Sequence, residues 1–365
     1  MASLAFGIMV VHDCVSVGAI SGGTSGLLAG LVKLLEFVAI ALAGLPWLLI
    51  GRERLGLASV ALGLATYCGI NVFAYKGLGM AGVTSGTMEE SWSILDGVRV
   101  ERMIAPFSDG LNNFGMFAAM GFSLCMMLLV DWRVLREKVL SLALICGMVV
   151  CFYACILVQM RSAAIMAAAA LAWIVLARRG IAVTYLWVSL CVFLGGAWAY
   201  MGAYRFGIAD ALVGVLPGFM TRTGEQLSSL SGRVLIWDYA LSLLASGQIP
   251  LLGLGVAVRD TTPAFALSGA MVGESGMTCH NGFLDLLCVY GPIISGLAGI
   301  LMAGIIARLT WVDPDRARNW RSVRHGLLAL ILWAGATEAV SGSALFWALC
   351  LLCALGPGAA MRPLR

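Results

Sequence analysis

The sequence predicts an all-α, polytopic membrane protein, and three observations support that fold class. The chain is 61% hydrophobic, with a mean hydropathy of +0.96. Only 12% of its residues are charged, whereas a soluble domain contains about 25%. Its apolar runs repeatedly approach the roughly 20 residues that a helix needs to cross a bilayer, and they lack the alternating polarity of barrel strands. We therefore expect one integral membrane domain over residues 1–365.

Ten apolar segments are predicted to be transmembrane helices. In chain order they are residues 3–20, 25–50, 55–74, 111–130, 139–158, 163–177, 181–203, 283–306, 326–341 and 343–358. Most of the connections between them are short. Two are long, 75–110 and 204–282, and the second is the largest polar part of the chain.

The distribution of lysine and arginine over these connections predicts the orientation. One side holds 14 basic residues in 41 positions, and its connections are 51–54, 131–138, 178–180, 307–325 and 359–365. The other side holds only 8 in 119 positions. Because basic residues concentrate on the cytoplasmic side, the loop 204–282 is predicted to lie outside, in the periplasm of a bacterial inner membrane. The net charge of +4 therefore indicates topology rather than nucleic-acid binding.

The periplasmic loop is predicted to contain a helix that lies on the membrane surface. Ser231 is a suitable N-cap residue, and Gly247 is a suitable stop. Four apolar side chains between them share one face: Leu235, Ile236, Tyr239 and Leu243. Arg233 would occupy the first turn, where free N–H groups and the helix dipole favour an anion. Its guanidinium could bind phosphate oxygens in pairs, or it could extend to lipid headgroups.

Arg161 and His280 are the other two principal candidates. Arg161 lies in a tight turn between two apolar spans, where a charge usually faces a cavity or a partner. It could also anchor the membrane edge. His280 directly precedes the span 283–306 and could act as a general base, or it could cap the helix. The residues around it do not have the spacing of a zinc site, so neither a metal nor another cofactor is expected.

Further polar residues are weaker candidates for substrate binding. Glu338, near the outer end of a span, could orient a histidine or pair with an arginine. Arg102 and Asn112 flank the outer end of the fourth span, and Asn281 follows His280. The stretch Gly253-Leu254-Gly255 lacks the Gly-Lys-Ser/Thr of a phosphate-binding loop, and we predict a turn there.

Three segments, in order, resemble the O-antigen ligase and polymerase superfamily of bacterial membrane proteins. The first is Gln159-Met160-Arg161-Ser162. The second is Ser231-Gly232-Arg233 with Ile236-Trp237 and Pro250-Leu251-Leu252-Gly253-Leu254-Gly255. The third is His280-Asn281-Gly282-Phe283-Leu284 with Gly291. Arg102-Met103-Ile104-Ala105-Pro106-Phe107 with Asn112-Asn113 is similar to a weaker motif of the family.

The resemblance implies a glycosyltransferase that acts on undecaprenyl-diphosphate-linked glycans. Arg161 and Arg233 would bind the diphosphate, and His280 would take the proton of the attacking hydroxyl. The acceptor is lipid A core in ligases and a second lipid-linked glycan in polymerases. Transfer would be metal-independent and would invert the anomeric carbon.

Two other classes of function stay open alongside ligase and polymerase. One is a transporter or flippase for lipid-linked glycans, although transporters usually place polar residues near the bilayer midplane. The other is a non-catalytic subunit of an exopolysaccharide machine. The presence of Arg161, Arg233 and His280 together argues against that role.

Overall fold

The computed structural model describes part of the chain, and every structural statement below concerns that part. The described residues are 53–80, 90–92, 99–107, 111–130, 137–159, 161–208, 211, 233–253, 279–311 and 323–337. The predicted spans 3–20, 25–50 and 343–358 lie outside them, as does Ser231.

Eight helices and two short strands make up the described regular structure. In chain order they are α1 (Glu53–Leu78), β1 (Glu90–Trp92), β2 (Arg99–Glu101), α2 (Leu111–Leu129), α3 (Lys138–Val158), α4 (Arg161–Arg178), α5 (Ala182–Arg205), α6 (Arg233–Ala245), α7 (Gly282–Trp311) and α8 (Val323–Thr337).

Four of these helices are long and apolar enough to cross a membrane. Their apolar segments are Leu55–Leu78, Lys138–Val158, Ala182–Arg205 and Gly282–Ala307. Three shorter apolar helices accompany them, at Phe114–Leu129, Ser162–Ala177 and His325–Thr337. The coarse prediction of a helical membrane protein is confirmed by these four segments. The six predicted spans that fall within the described residues coincide with a helix, as does the described part, 326–337, of a seventh, although the total of ten is not established.

Two features of the described chain were not predicted. The strands β1 and β2 pair in antiparallel fashion, with Glu90 opposite Glu101 and Trp92 opposite Arg99. Each has three residues, too few for alternating polarity to be recognised in the sequence. The predicted span 283–306 is also not one regular helix, because Gly291 adopts φ 72° and ψ 172° inside α7 and Pro292 follows it.

The main core lies where α2 packs against α1, α3 and α4, and small residues let these helices approach closely. A Cβ added at Gly121 on α2 would lie 2.7 Å from Cys151 Sγ on α3. A Cβ added at Gly147 on α3 would lie 3.0 Å from the Cβ of Ala65 on α1. Helix α8 completes this core by packing on α4 and α5.

A second cluster joins α6 to the later half of α5 and the start of α7. Its buried members include Ala197, Met201, Val234, Trp237, Leu243, Cys279, Leu284 and Cys288. An exposed ion pair between Arg205 and Asp238 also links α5 to α6.

The position of the loop helix was predicted correctly, but the face that it buries in the protein was predicted only in part. Helix α6 ends before Gly247, whose φ of 70° suits the predicted stop. Its buried face is formed by Val234, Ile236, Trp237, Ala240 and Leu243. Leu235, predicted on the apolar face, is 51% exposed. The buried face of α6 therefore includes Val234 and Trp237, which were not predicted to lie on it. Trp237 packs against Tyr200 on α5.

Candidate functional site

Two of the candidate segments meet at the C-terminus of α8. Arg233 Nη1 donates a hydrogen bond to the carbonyl oxygen of Thr337, at 2.6 Å. Asn281 Nδ2 donates to the adjacent carbonyl oxygen, that of Ala336, at 3.0 Å. Both carbonyls belong to the last described turn of α8, so the two side chains bind neighbouring positions on that helix. The contacts bring the start of α6 and the turn before α7 to one place.

His280 occupies a turn, and the residues before and after it are held by hydrogen bonds. The Cys279 N–H donates to Asp285 Oδ1 at 2.8 Å, and the Cys279 carbonyl accepts from Trp237 Nε1 at 2.7 Å. Asn281 Oδ1 accepts the N–H of Leu284 at 3.0 Å, as an N-cap residue does. His280 itself has a φ of 47°, a left-handed conformation that is uncommon outside glycine.

Arg233 begins α6 and is partly buried. It is the first described residue of α6, in the turn where the helix dipole would favour a bound anion if the helix begins there. A guanidinium has five N–H donors in a fixed fork. One of these donors binds the Thr337 carbonyl, and the geometry of the fork matches the paired oxygens of a phosphate group.

The described helices place the start of α4 level with the C-terminus of α8. Only residues 179–181 connect α4 to α5, and Tyr185 Oη on α5 donates to the carbonyl oxygen of Ala169 on α4 at 2.9 Å, so these helices are antiparallel. The contact between Trp173 on α4 and His325 on α8 joins one end of the two helices, with ring centroids 6.3 Å apart. Trp173 also contacts Tyr185 on α5, and further along both helices Trp333 Nε1 on α8 donates to Ser189 Oγ on α5 at 3.1 Å, so α8 runs in the same direction as α5.

The contact between Trp173 and His325 is separated by equal lengths of helix from Arg161 on α4 and from Thr337 on α8. Arg161 precedes Trp173 by twelve residues, and Thr337 follows His325 by twelve. Twelve residues of helix rise about 18 Å. The first residue of α4 is therefore at about the same height as the carbonyl that Arg233 binds. The direction of the Arg161 side chain lies outside what the structure describes.

Arg102 lies beside the turn that leads to Arg161. Its Nε donates to the carbonyl oxygen of Val158 at 2.9 Å, and the Met103 N–H donates to Leu157 at 2.9 Å. Gln159, two residues before Arg161, has a φ of 56°. Among the described non-glycine residues, only Gln159 and His280 have a positive φ, and each lies two residues before the first residue of a helix, Arg161 of α4 or Gly282 of α7. Unfavourable backbone conformations of this kind concentrate at functional sites.

Besides Arg161, two predicted site residues have side chains outside the described part of the chain. Asn112 is the second residue of α2, and its side chain is outside the described part. Glu338 lies outside the described residues, although it directly follows Thr337.

Sequence reasoning missed Asp285 and the contact between two glycines. Asp285 is completely buried although it lies in an apolar helix, and a carboxylate within a predicted span should have been noticed. Gly253, with φ 81°, packs on the break in α7, where an added Cβ would lie 2.2 Å from the carbonyl oxygen of Val289. An added Cβ at Gly291 would lie 2.3 Å from the carbonyl oxygen of Leu251. The predicted turn at Gly253 is confirmed by its N–H, which donates to Pro250 at 2.9 Å.

The arrangement brings a cation and an imidazole near one another. Arg233 supplies a fixed cation, and His280 supplies an imidazole on a rigid turn close to the same helix terminus. Within the described ranges, no group of three His, Cys, Asp or Glu side chains could hold a metal ion.

Comparisons with family models, with curated proteins and with solved structures found no match for this chain.

Proposed function

We propose that this chain is a membrane glycosyltransferase of the O-antigen ligase type. It would move a glycan from an undecaprenyl-diphosphate carrier to a hydroxyl acceptor at the periplasmic face of a bacterial inner membrane. One observation supports this above others. Arg233 and Asn281 bind consecutive carbonyls of α8, so that an anion-binding arginine and the turn of His280 lie side by side.

The proposed reaction is a direct displacement at the anomeric carbon. The acceptor oxygen forms a bond to that carbon while the bond to the carrier diphosphate breaks, which inverts the configuration. Negative charge grows on the diphosphate, and Arg161 and Arg233 stabilise it at the moment of departure. His280 accepts the proton of the attacking hydroxyl. The diphosphate leaves without a proton, so the reaction needs no metal and no nucleotide.

A polymerase would use the same chemistry with a different acceptor. A ligase would take lipid A core, and a polymerase would take a second lipid-linked glycan. The difference would be set by the shape of the acceptor site, to which residues of the loop 204–282 would contribute.

The break in α7 bears on the transporter alternative. Transporters use interrupted helices whose backbone groups face a substrate near the bilayer midplane. Here the backbone of the 250–253 turn occupies the break, and the Ile293 N–H donates to the carbonyl oxygen of Leu251 at 3.3 Å. The residues from Pro292 to Trp311 could cross about 30 Å of bilayer without the first part of α7. Both facts favour a closed structural junction over a transport site.

The experiment is a turnover assay with the purified full-length chain in lipid nanodiscs. The donor is an undecaprenyl-diphosphate-linked glycan, and separate reactions contain lipid A core or a second portion of donor. A third measurement follows donor flipping in sealed vesicles. Transfer that is lost in Arg233→Ala and kept in Arg205→Ala supports the proposal, because Arg205 is an exposed arginine at the end of α5. Flipping without transfer would overturn it.

A further inference from the structure

Asp285 is an acidic residue in an apolar helix, and none of its surface is exposed. Removing a carboxylate from water is costly unless hydrogen bonds or charges compensate it. Ionisable residues within membrane helices are therefore rare and usually border a functional site. The chemistry proposed above gives Asp285 no role, so its burial needs another explanation.

The contacts of Asp285 lie on both sides of His280. Its Oδ1 accepts the N–H of Cys279 at 2.8 Å, one residue before His280. Its own N–H donates to the carbonyl oxygen of Asn281 at 2.9 Å, one residue after His280. The second bond is an ordinary helical one. The first is made by the side chain and depends on the identity of residue 285.

The Cys279 peptide is thereby held from two helices. Asp285 on α7 binds its N–H, and Trp237 on α6 binds its carbonyl oxygen at 2.7 Å. On the far side, Asn281 is fixed to α8 through the Ala336 carbonyl. His280, between them, has a φ of 47°. A non-glycine residue stays in this conformation only when its surroundings impose it, and these hydrogen bonds do so.

We propose that Asp285 is a positioning residue for His280. Its carboxylate oxygen holds the Cys279 N–H and so keeps the turn in the left-handed conformation that directs the imidazole. It acts through the backbone and does not touch the substrate. The effect on glycan transfer rests on the proposed function, whereas the effect on the turn does not.

The test compares Asp285→Ala with Asp285→Asn in the full-length protein. Asparagine keeps an oxygen that can accept the Cys279 N–H, but it removes the charge. Asp238→Asn is the matched control, because Asp238 is an exposed aspartate on α6. The first readout is labelling of the buried Cys279 thiol by a water-soluble maleimide, quantified on its peptide by mass spectrometry. The second is transfer across a range of pH.

We expect Asp285→Ala to label Cys279 about tenfold faster or more, because a buried hydrogen bond that restrains the turn is lost. Asp285→Asn and Asp238→Asn should label at the rate of the unchanged protein. Transfer should fall about 10- to 100-fold in Asp285→Ala and recover in Asp285→Asn with an unchanged pH profile. Adding Asp285→Ala to His280→Ala should slow transfer no further, since both act through one group.

Three results would overturn the proposal. One is unchanged Cys279 labelling in Asp285→Ala. Another is glycan transfer by Asp285→Asn that is as slow as transfer by Asp285→Ala or that has a shifted pH profile. Either outcome would show that the charge of Asp285, and not its hydrogen-bonding oxygen, supports transfer. The third result applies if Asp285→Ala does not fold, because the test then rests on Asp285→Asn. Faster maleimide labelling of Cys279 in Asp285→Asn would refute positioning by the side-chain oxygen. A chain that transfers no glycan but shows the expected labelling would refute the proposed function alone.

Discussion

Replacing Arg233 by lysine separates charge from geometry at the proposed diphosphate site. The guanidinium donates to the Thr337 carbonyl at 2.6 Å and is proposed to hold phosphate oxygens at the same time. A lysine ammonium keeps the charge, but as a compact group it cannot reproduce a bidentate fork. The loss of one hydrogen bond to a charged group costs about 1.5–3 kcal/mol. This corresponds to about a 10- to 150-fold slower transfer at low donor concentration.

The assay is the initial rate of glycan transfer by purified Arg233→Lys, Arg233→Ala and Arg205→Lys. We expect the two Arg233 variants to be slowed by similar factors. Arg205→Lys should stay within about twofold of the unchanged protein, because an exposed ion pair contributes little. Near-normal transfer by Arg233→Lys, with a loss only in Arg233→Ala, would show that Arg233 supplies charge alone and would refute the bidentate argument.

Two further predictions concern packing and orientation. Gly291→Ala should destabilise the protein by at least about 2 kcal/mol in thermal unfolding, since its added Cβ would lie 2.3 Å from a carbonyl oxygen. Gly296→Ala on the same helix should unfold like the unchanged protein, because no atom lies within 4 Å of the added Cβ. Equal destabilisation by Gly291→Ala and Gly296→Ala would refute the close contact of Gly291 with the 250–253 turn. Reporter fusions should place 204–282 outside and 307–325 inside, and the reverse result would exclude a periplasmic site.

The helices that sequence reasoning found are those with long apolar runs or clear ends. Helix α6 begins at Arg233 and ends before Gly247, where a glycine with positive φ follows the last turn. Such local rules need only neighbouring residues. The contact of Gly253 with Gly291 could not be predicted in this way, because it joins backbones that only the folded chain brings together. The break in α7 was missed although Gly291-Pro292 is a local signal for it, because a proline inside an apolar run kinks or ends a helix.

The sequence did not predict the backbone contacts that two of the candidate site residues make. Asn281 was expected to bind substrate, yet its amide caps α7 and binds α8. Arg102 was expected near the substrate, and its Nε binds the carbonyl at the end of α3. Both contacts use a helix terminus whose position depends on tertiary packing. Asp285 was not predicted as a site residue because the residues around it are apolar. A charged residue within a predicted span is nevertheless unusual, and this one is fully buried.

The central claim is that Arg233 and His280 belong to one catalytic site with separate tasks. Its most direct test measures donor affinity and maximal turnover together in His280→Ala. If His280 is the base, turnover should fall by ~10²–10⁴-fold. Donor affinity should stay within about twofold, because the arginines hold the diphosphate. Lost affinity with unchanged maximal turnover would contradict the account, since His280 would then bind the donor and another residue would take the proton.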